Sequence, residues 1–214
     1  MKTISLDNTL PNVFLGRTDI ESEIWRKQVS FERGKTYLIE AQSGTGKSSL
    51  CSFIIGYRTD YDGKILFDDK DSNLLKTEDW TELRQRHISI LFQELRLFPE
   101  LTAMENVEIK NSLTHFKTRG EIEQWFEQLG IAEKKDVPVR LMSFGQQQRV
   151  AMIRALVQPF DFLLADEPIS HLDDENSRIM ADIMMTEARR QGAGIIITSI
   201  GKHMELPYDK TYKL

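Results

Sequence analysis

The 214-residue sequence is poor in cysteine, in long apolar runs and in excess positive charge, and each shortage argues against a class of protein. Its one cysteine, Cys51, excludes an internal disulfide, which fits a reducing compartment. The longest apolar runs, such as Phe162–Ala165 and Ile195–Ile197, fall far short of the ~20 residues that a membrane-spanning helix needs. Acidic residues number 33 against 28 lysines and arginines, and the net charge of −5 leads us to expect no nucleic-acid partner.

No N-terminal stretch joins a basic start to an apolar run and a cleavage site, so we expect no secretory signal. We therefore expect a soluble chain that depends on another polypeptide for any membrane crossing. What the sequence does contain is an ordinary globular composition, with 40% hydrophobic and 29% charged residues. Its length suits one domain with a substantial core, and it shows no internal repeat.

Short apolar runs alternate with longer helical patterns along the chain, which is typical of an α/β domain with a mainly parallel sheet. The predicted strands are Thr36–Glu40, Gly63–Phe67, Ile88–Phe92, Phe160–Ala165 and Gly194–Ser199, and the predicted helices include Lys47–Gly56 and Glu175–Gln191. The fourth of these strands is nearly all apolar, as expected for a parallel strand that is buried on both faces.

The strand pattern fades over residues 94–157, and we interpret this stretch as a helical insertion in the α/β core. Its clearest helix has one apolar face and is closed by Gly130. The residues of that face follow the i, i+3, i+4, i+7 spacing, and they are Ile122, Trp125, Phe126 and Leu129. We expect the aromatic pair among them to pack in the core.

A glycine-rich segment between a predicted strand and a predicted helix has the pattern of a phosphate-binding loop. The predicted binding residues are Ala41, Gln42, Ser43, Gly44, Thr45, Gly46, Lys47, Ser48 and Ser49. The glycines permit the positive φ with which successive N–H groups turn toward an anion. The Lys47 ammonium can reach the β- and γ-phosphates, the Ser48 hydroxyl can bind Mg²⁺, and the following helix adds its positive dipole end.

Two residues of this region differ from a simple pattern. Ala41 replaces the usual first glycine, a change small enough to be tolerated. Cys51 is interpreted as a small packed residue, because no histidine lies near it in sequence. A chance glycine-rich turn is the alternative for the whole segment, and the flanking strand and helix argue against it.

Acidic residues follow the apolar run that ends at Ala165. Asp166 is expected to hold Mg²⁺ or its water shell, and Glu167 to act as general base on the water that attacks the γ-phosphate. An acidic loop after a buried strand is common by itself. The Lys-Ser phosphate loop upstream favours the nucleotide-site interpretation.

A second helix start lies at Ser143, which has the capping-box spacing with Gln146. Free N–H groups and the positive dipole end make this start an anion site distinct from the phosphate loop. A plain helix cap would have the same spacing. The Gln-Gln-Arg continuation at 147–149 and the 23-residue step from Ser143 to Asp166 favour the anion site.

Taken in order, these segments resemble the ATP-binding-cassette (ABC) family of ATPases over nearly the whole chain. They are the loop Ala41–Ser48, Gln93 at a strand end, the signature Ser143–Arg149, Phe162–Glu167 and the loop Ser170–Asp173. In addition, Leu95–Thr102 and Glu105–Val107 are similar to the branch that serves lipoprotein release, macrolide export and bacterial cell division.

The resemblance implies a P-loop NTPase fold with a RecA-like parallel-sheet core, a small antiparallel β subdomain and a helical subdomain. The chain would be a single ABC ATPase domain, with the core and β subdomain over residues 1–93 and 158–214 and the helical subdomain over 94–157.

The resemblance also implies Mg²⁺ and ATP as cofactors and assigns roles to residues of this chain. The implied metal ligands are Ser48, Gln93 and Asp166. The implied catalytic residues are Glu167, Gln93, which contacts the lytic water, and Lys47. Ser143, Gly145 and Gln146 would face the γ-phosphate of ATP bound to a second ABC ATPase subunit, identical or related, and Asp173 would communicate across that dimer.

The implied partner is an integral membrane permease, so the chain would be cytoplasmic and peripheral on the inner face of the cell membrane. Residues Glu94–Leu101 would help to form the groove that receives a short helix of that partner. Closure of two subunits on ATP would drive the permease between inward- and outward-facing states.

Several positions depart from the family pattern. Met142 and Phe144 replace the usual leucine and first glycine of the signature, and the phenylalanine would either pack on the partner or hinder closure. Ser199 stands where the family has a histidine on the γ-phosphate, and a serine would at best bond to it through water. His203 follows four residues later and is not expected to replace that histidine.

The aromatic residue that stacks on adenine is left open. Phe14 is a candidate, and packing within the first strand is the alternative for it. Trp25 is expected to enter the core from a strand.

Three functions follow from these observations. The first is an ATPase subunit of a membrane transporter that hydrolyses ATP slowly when alone, because Ser199 replaces the histidine. The second is an ATP-binding switch with little turnover. The third is an ABC-type ATPase acting on DNA or ribosomes, against which the absence of a fused second cassette, a coiled-coil insertion and basic arms argues.

Overall fold

The computed structural model describes residues 1–42 and 44–214 and contains two β-sheets. The strands are β1 (Thr3–Pro11), β2 (Gln28–Glu32), β3 (Thr36–Glu40), β4 (Tyr61–Phe67), β5 (Lys70–Asp71), β6 (Ile88–Leu91), β7 (Phe162–Asp166), β8 (Gly194–Ser199) and β9 (Lys210–Lys213). The α-helices are α1 (Lys47–Ile54), α2 (Thr77–Glu82), α3 (Ala103–Asn111), α4 (Arg119–Gln128), α5 (Phe144–Leu156) and α6 (Asp174–Gln191). Within the described residues, no helix combines the length and the apolar character that crossing a bilayer requires.

Five parallel strands form the larger sheet in the order β6-β7-β8-β3-β9. Strands β7 and β8 are buried along their whole length, which explains their almost continuous apolar sequence. Because the strands are parallel, their carboxyl ends lie at one edge, and the segments that follow β3, β6, β7 and β8 meet there. The predicted α/β class is confirmed.

The boundaries differ from the predictions by one or two residues. Strand β7 starts two residues later than predicted and includes Asp166. Helix α1 ends at Ile54 because Gly56 adopts a φ of +67°, which interrupts the helical backbone. A Cβ at Gly56 would lie 2.6 Å from the Trp80 ring, so this turn also needs the space that glycine leaves.

The smaller sheet is antiparallel, with the order β2-β1-β4-β5. Its buried side chains share one hydrophobic core with α1 and with β3, and they include Ile4, Leu6, Phe31 and Ile65. The local pattern did not predict β1, β2, β5 or β9. In β1 the alternation stops after Asp7, where its register with β4 breaks, and β5 spans only two residues. Strand β2 alternates regularly but is only five residues long.

Helices α3, α4 and α5 follow one another between β6 and β7. The predicted apolar face of α4 is confirmed, since Ile122, Phe126 and the adjoining Leu129 are each 1% exposed. Trp125 is half-buried, and the Lys117 ammonium lies 4.7 Å from its ring centroid. The assignment of residues 94–157 to a separate subdomain remains a prediction.

Candidate functional site

The glycine-rich segment joins β3 to α1 at the carboxyl edge of the parallel sheet. Gly44 and Gly46 have φ values of +83° and +95°, the conformation for which glycine was expected. Gly46 directly precedes α1, so the free N–H groups and positive dipole end of that helix lie at the loop. The predicted binding residue Ser43 lies outside the described residues.

Two aromatic side chains pack against this loop. A Cβ at Gly46 would lie 3.1 Å from Phe14 Cε2 and 3.2 Å from Trp25 Cζ2, so a larger residue would displace the aromatic rings. The Trp25 indole donates its Nε1–H to Thr45 O at 2.9 Å. Trp25 is buried, but in a turn rather than in the strand that was expected, and there it positions the phosphate loop.

Phe14 does not belong to the first strand, contrary to one of its two predicted roles. It ends a short 3₁₀ helix, Asn12–Phe14, which begins directly after Pro11, the last residue of β1. Its side chain is 9% exposed, and the Arg17 guanidinium lies 5.5 Å from its ring centroid. Phe14 lines a cavity of about 970 Å³ beside the phosphate loop, and its stacking on adenine stays a prediction.

The fold brings Lys47 together with both strand-end carboxylates. Lys47 Nζ forms an ion pair with Glu167 and lies 3.7 Å from Asp166 Oδ1. The three side chains are between 6% and 12% exposed, so these charges compensate one another with little water between them. Thr198, which is fully buried, donates its hydroxyl to the same Asp166 oxygen and so orients that carboxylate.

Glu167 has a φ of +49°, a left-handed conformation that is uncommon for a residue with a side chain. Gln148 of α5 holds this turn, since its amide donates to Pro168 O at 2.6 Å and to Glu167 O at 3.4 Å. Gln148 is 2% exposed, which keeps those hydrogen bonds away from water. Neither Gln148 nor Thr198 was predicted as a site residue, although Gln148 lies within the signature and Thr198 directly precedes Ser199.

Ser48, in the first turn of α1, lies close to Gln93, two residues after β6. Ser48 Oγ lies 3.5 Å from Gln93 Oε1. Hydroxyl, amide and carboxylate oxygens are the hard donors that Mg²⁺ takes, beside water and phosphate oxygens, so Ser48, Gln93 and Asp166 fit the implied ion by their chemistry. The neighbouring Ser49 is engaged elsewhere, because its hydroxyl accepts a hydrogen bond from Arg58 at 2.9 Å.

Ser143 caps α5 as its spacing predicted. Its Oγ accepts from Gln146 N at 3.3 Å, and Gln146 Oε1 accepts from Ser143 N at 2.9 Å. The Gln146 amide oxygen is therefore engaged within the helix start. Gly145 is closely packed, since a Cβ there would lie 3.3 Å from the Leu172 side chain.

Ser199 ends β8 and is 3% exposed. Its hydroxyl donates to Lys202 O, so it is engaged in the turn that follows the strand. His203 Nε2 lies 3.0 Å from Glu40 Oε1, and both residues line the cavity beside the phosphate loop. A contact between Ser199 and a nucleotide stays a prediction.

Cys51 lies on α1 with its thiol buried. Burial raises the pKa of the thiol well above its ordinary value, which disfavours a reactive thiolate. This environment agrees with the packed role predicted for Cys51.

A known protein family matches this chain across its predicted nucleotide-site segments. The family model described as "ABC transporter" matches residues 26–170, which is more than half of the chain. The chain belongs to the ABC transporter family. The matched range contains the phosphate loop, Gln93, the signature and the strand-end carboxylates, and the predicted membership is confirmed.

Individual related proteins match most of this chain. The ABC transporter ATP-binding protein YbbA of Escherichia coli strain K12 is 30% identical over 186 residues, which cover 86% of this chain and 82% of YbbA. YclH of Bacillus subtilis strain 168, also named an ABC transporter ATP-binding protein, is 32% identical over 175 residues, covering 80% and 76%. The macrolide export ATP-binding/permease protein MacB of Shewanella sp. strain ANA-3 is 30% identical over 87% of this chain, but only 29% of MacB is covered.

Solved ABC cassettes share the fold. The ATP-binding cassette MJ0796, in a dimeric post-hydrolysis state bound to ADP and Pi, aligns with a TM-score of 0.74 and 26% identity. That alignment covers 92% of this chain and 87% of the MJ0796 chain. The chain is therefore an ABC ATPase cassette by sequence and by fold.

The predicted departures from the family pattern lie at the signature and at Ser199, the last residue of β8. Met142 is 5% exposed and so takes a buried apolar position, as leucine would. Phe144 is 43% exposed, and its ring centroid lies 4.4 Å from that of His171. At position 144, where the resemblance implied a glycine, a ring contacts the loop after β7.

Proposed function

We propose that this chain is the ATP-hydrolysing subunit of an ABC transporter and acts on a separate membrane permease. The main observation behind the proposal is that Lys47 forms an ion pair with Glu167 and lies close to Asp166. The two carboxylates stand at the end of β7, and Lys47 belongs to the predicted phosphate-binding loop. Those side chains supply a phosphate-binding cation, a general base and a carboxylate suited to Mg²⁺ in one site. The ADP and Pi bound to MJ0796 support hydrolysis as the reaction.

Each side chain has its own task in this proposal. Lys47 exchanges Glu167 for the β- and γ-phosphates of ATP, which frees the Glu167 carboxylate to accept a proton from the attacking water. Gln93 orients that water. Attack of this water on the γ-phosphorus breaks the bond between that phosphorus and the oxygen that bridges to the β-phosphate, and yields ADP and phosphate. Mg²⁺, when held by Ser48, Gln93 and Asp166, neutralises charge on the phosphates.

A second ATPase subunit completes the site in this proposal. The Ser143 hydroxyl and the Gly145 N–H at the start of α5 face ATP held by that second subunit. The dimeric structures of MJ0796 support this arrangement.

We further propose that the chain hydrolyses ATP slowly when alone, because the Ser199 hydroxyl is engaged by Lys202 O and no imidazole follows β8 at that position. Ser199→His is expected to raise kcat by about tenfold, the effect of one added hydrogen bond to a charged group. Steady-state phosphate release from the purified protein measures this effect.

Ser30→His is the control, because Ser30 is exposed on β2. A wild-type rate equal to that of an active ABC ATPase and unchanged by Ser199→His would contradict slow hydrolysis. ATP binding without turnover in both proteins would instead favour the second candidate, an ATP-dependent switch that regulates its partner.

The permease is proposed to dock in a groove of about 270 Å³ that includes part of the predicted segment 94–101. Four basic residues line it, namely Arg84, Arg96, Lys110 and Arg154, and no carboxylate is among its described lining residues. Exposed apolar side chains lie among them, including Tyr57, Phe98, Ile109 and Leu113. Burial lowers the pKa of Arg154 to about 10. The pKa of Lys110 is lowered by burial and, to a smaller extent, by the positive charge of Arg154. A helix with apolar residues and a carboxylate would suit this groove.

Lys110→Glu is expected to reduce recovery of the permease by at least about tenfold, because it replaces attraction with repulsion. The measurement is co-purification of an integral membrane protein with a C-terminally tagged chain from detergent-solubilised membranes. Lys64→Glu is the matched control, since Lys64 is exposed on β4. Recovery of soluble partners alone by the wild type would contradict the permease assignment.

A further inference from the structure

The signature helix and the loop after β7 are joined by an aromatic pair. The rings of Phe144 and His171 have centroids 4.4 Å apart and planes at 61°. Both side chains are exposed, and the His171 carbonyl lies 3.5 Å from where a Cβ of Gly145 would stand. His171 is therefore in contact with the first turn of α5, where the free N–H groups are.

The orientation of the His171 ring is set by its neighbours. His171 Nδ1 shares a hydrogen bond with Ser170 Oγ at 2.8 Å. In the tautomer in which the Ser170 hydroxyl donates to Nδ1, Nε2 carries the proton and is the ring nitrogen left to face an incoming ligand, while Phe144 packs edge-on against the ring. An imidazole Nε2–H donates well to a phosphate oxygen.

The turn after β8, which lacks the family's histidine, is tied to this same loop. The backbone carbonyl of Lys202 accepts a hydrogen bond from the Ser199 hydroxyl. The Lys202 ammonium donates to Leu172 O at 2.9 Å and forms an ion pair with Asp174 at 3.0 Å. Asp173 caps α6 by accepting from Asn176 N at 2.8 Å. The Lys202 ammonium thus offsets the negative charge of Asp174, and the Asp173 carboxylate is engaged in capping α6. Both effects lower the electrostatic repulsion that an anion beside His171 would meet.

The other three histidines of the chain are placed elsewhere. His203 pairs with Glu40, and His87 binds Asp161, which precedes β7 at the opposite edge of the sheet. His115 follows α3 and is exposed. Of the four histidines, all within the described residues, His171 alone contacts the start of the signature helix.

We propose that His171 contacts the γ-phosphate of ATP bound to the second subunit and replaces in part, from across the dimer, the histidine that this chain lacks at position 199, so that Ser199→His still raises the rate. This inference rests on the proposed function, in which the start of α5 faces that phosphate. Phe144 acts as a positioning residue that holds the His171 ring over the helix start.

The test compares His171→Asn with the wild type. Loss of the hydrogen bond to the γ-phosphate is expected to lower kcat about tenfold or more, whereas ADP affinity is unchanged because ADP lacks that phosphate. Adding Ser199→His to His171→Asn is expected to restore the rate, since it supplies an imidazole from the other side. Phe144→Gly is expected to lower kcat as well, by releasing the ring.

His115→Asn is the matched control, because His115 is exposed and has a φ of +49° that asparagine tolerates. Circular dichroism checks folding, and His171→Gln replaces any variant that does not fold. An unchanged rate in His171→Asn, or a loss that Ser199→His does not restore, would overturn the inference while the proposed function stands. A wild type that neither hydrolyses ATP nor dimerises with it would overturn both.

Discussion

Replacing Glu167 with glutamine is expected to lower the kcat of ATP hydrolysis by at least about 100-fold, the usual contribution of a general base. The amide keeps the shape of the side chain but does not accept the proton of the attacking water. Lys47 stays in place to bind phosphate, because it loses only its ion pair with Glu167. ATP binding is therefore retained while turnover is lost.

The measurement combines phosphate release with binding of a fluorescent ATP analogue, and size-exclusion chromatography reports whether an ATP-bound dimer accumulates. Glu127→Gln is the matched control, since Glu127 is exposed on α4. Turnover that survives Glu167→Gln within tenfold of the wild type would exclude Glu167 as the base.

Replacing Lys117 with methionine is expected to lower the free energy of unfolding by about 3 kcal/mol, because a buried charge would lose its partner. Lys117 Nζ lies 2.7 Å from Glu187 Oε2, and the two side chains are 1% and 5% exposed. In the variant, Glu187 keeps a hydrogen bond from Gln191 at 2.8 Å and an ion pair with the half-exposed Arg190 at 3.4 Å. Those contacts do not replace a buried ammonium.

Urea denaturation measures the change in free energy. The double variant Lys117→Met with Glu187→Met is expected to regain at least half of the loss, because it leaves no unpaired charge. Lys70→Met is the control, since its ion pair with Asp79 is 53% and 35% exposed and should contribute less than about 1 kcal/mol. Equal losses in Lys117→Met and Lys70→Met would contradict the prediction.

Local features of this protein were predictable because they depend on a few consecutive residues. Gly46 was expected at a positive φ, and the Ser143 capping box was read from its spacing; both are present in the structure. The apolar face of α4 followed from its 3.6-residue period. Strand β1 was missed because its alternation is confined to Thr3–Asp7 and is followed by Asn8 and three consecutive buried residues.

The supporting residues of the site could not be predicted in the same way. Trp25 binds Thr45, 20 residues away, and Thr198 binds Asp166, 32 residues away. Gln148 reaches Pro168 from another element of the fold, 20 residues distant. The residues adjacent in sequence do not indicate which residue each of these side chains will bond to. Each contact joins chain segments that only folding brings together.

The sequence by itself determined the ABC family and the residue types of the ATP site, because the phosphate loop, the strand-end carboxylates and the signature are local patterns with fixed spacing. It also predicted that Ser199 stands where the family has a histidine. Only the tertiary structure decided that the Ser199 hydroxyl is engaged by Lys202, that His203 pairs with Glu40, and that His171 lies against Phe144. The direction of a side chain depends on the neighbours that surround it after folding, and those neighbours come from distant parts of the chain.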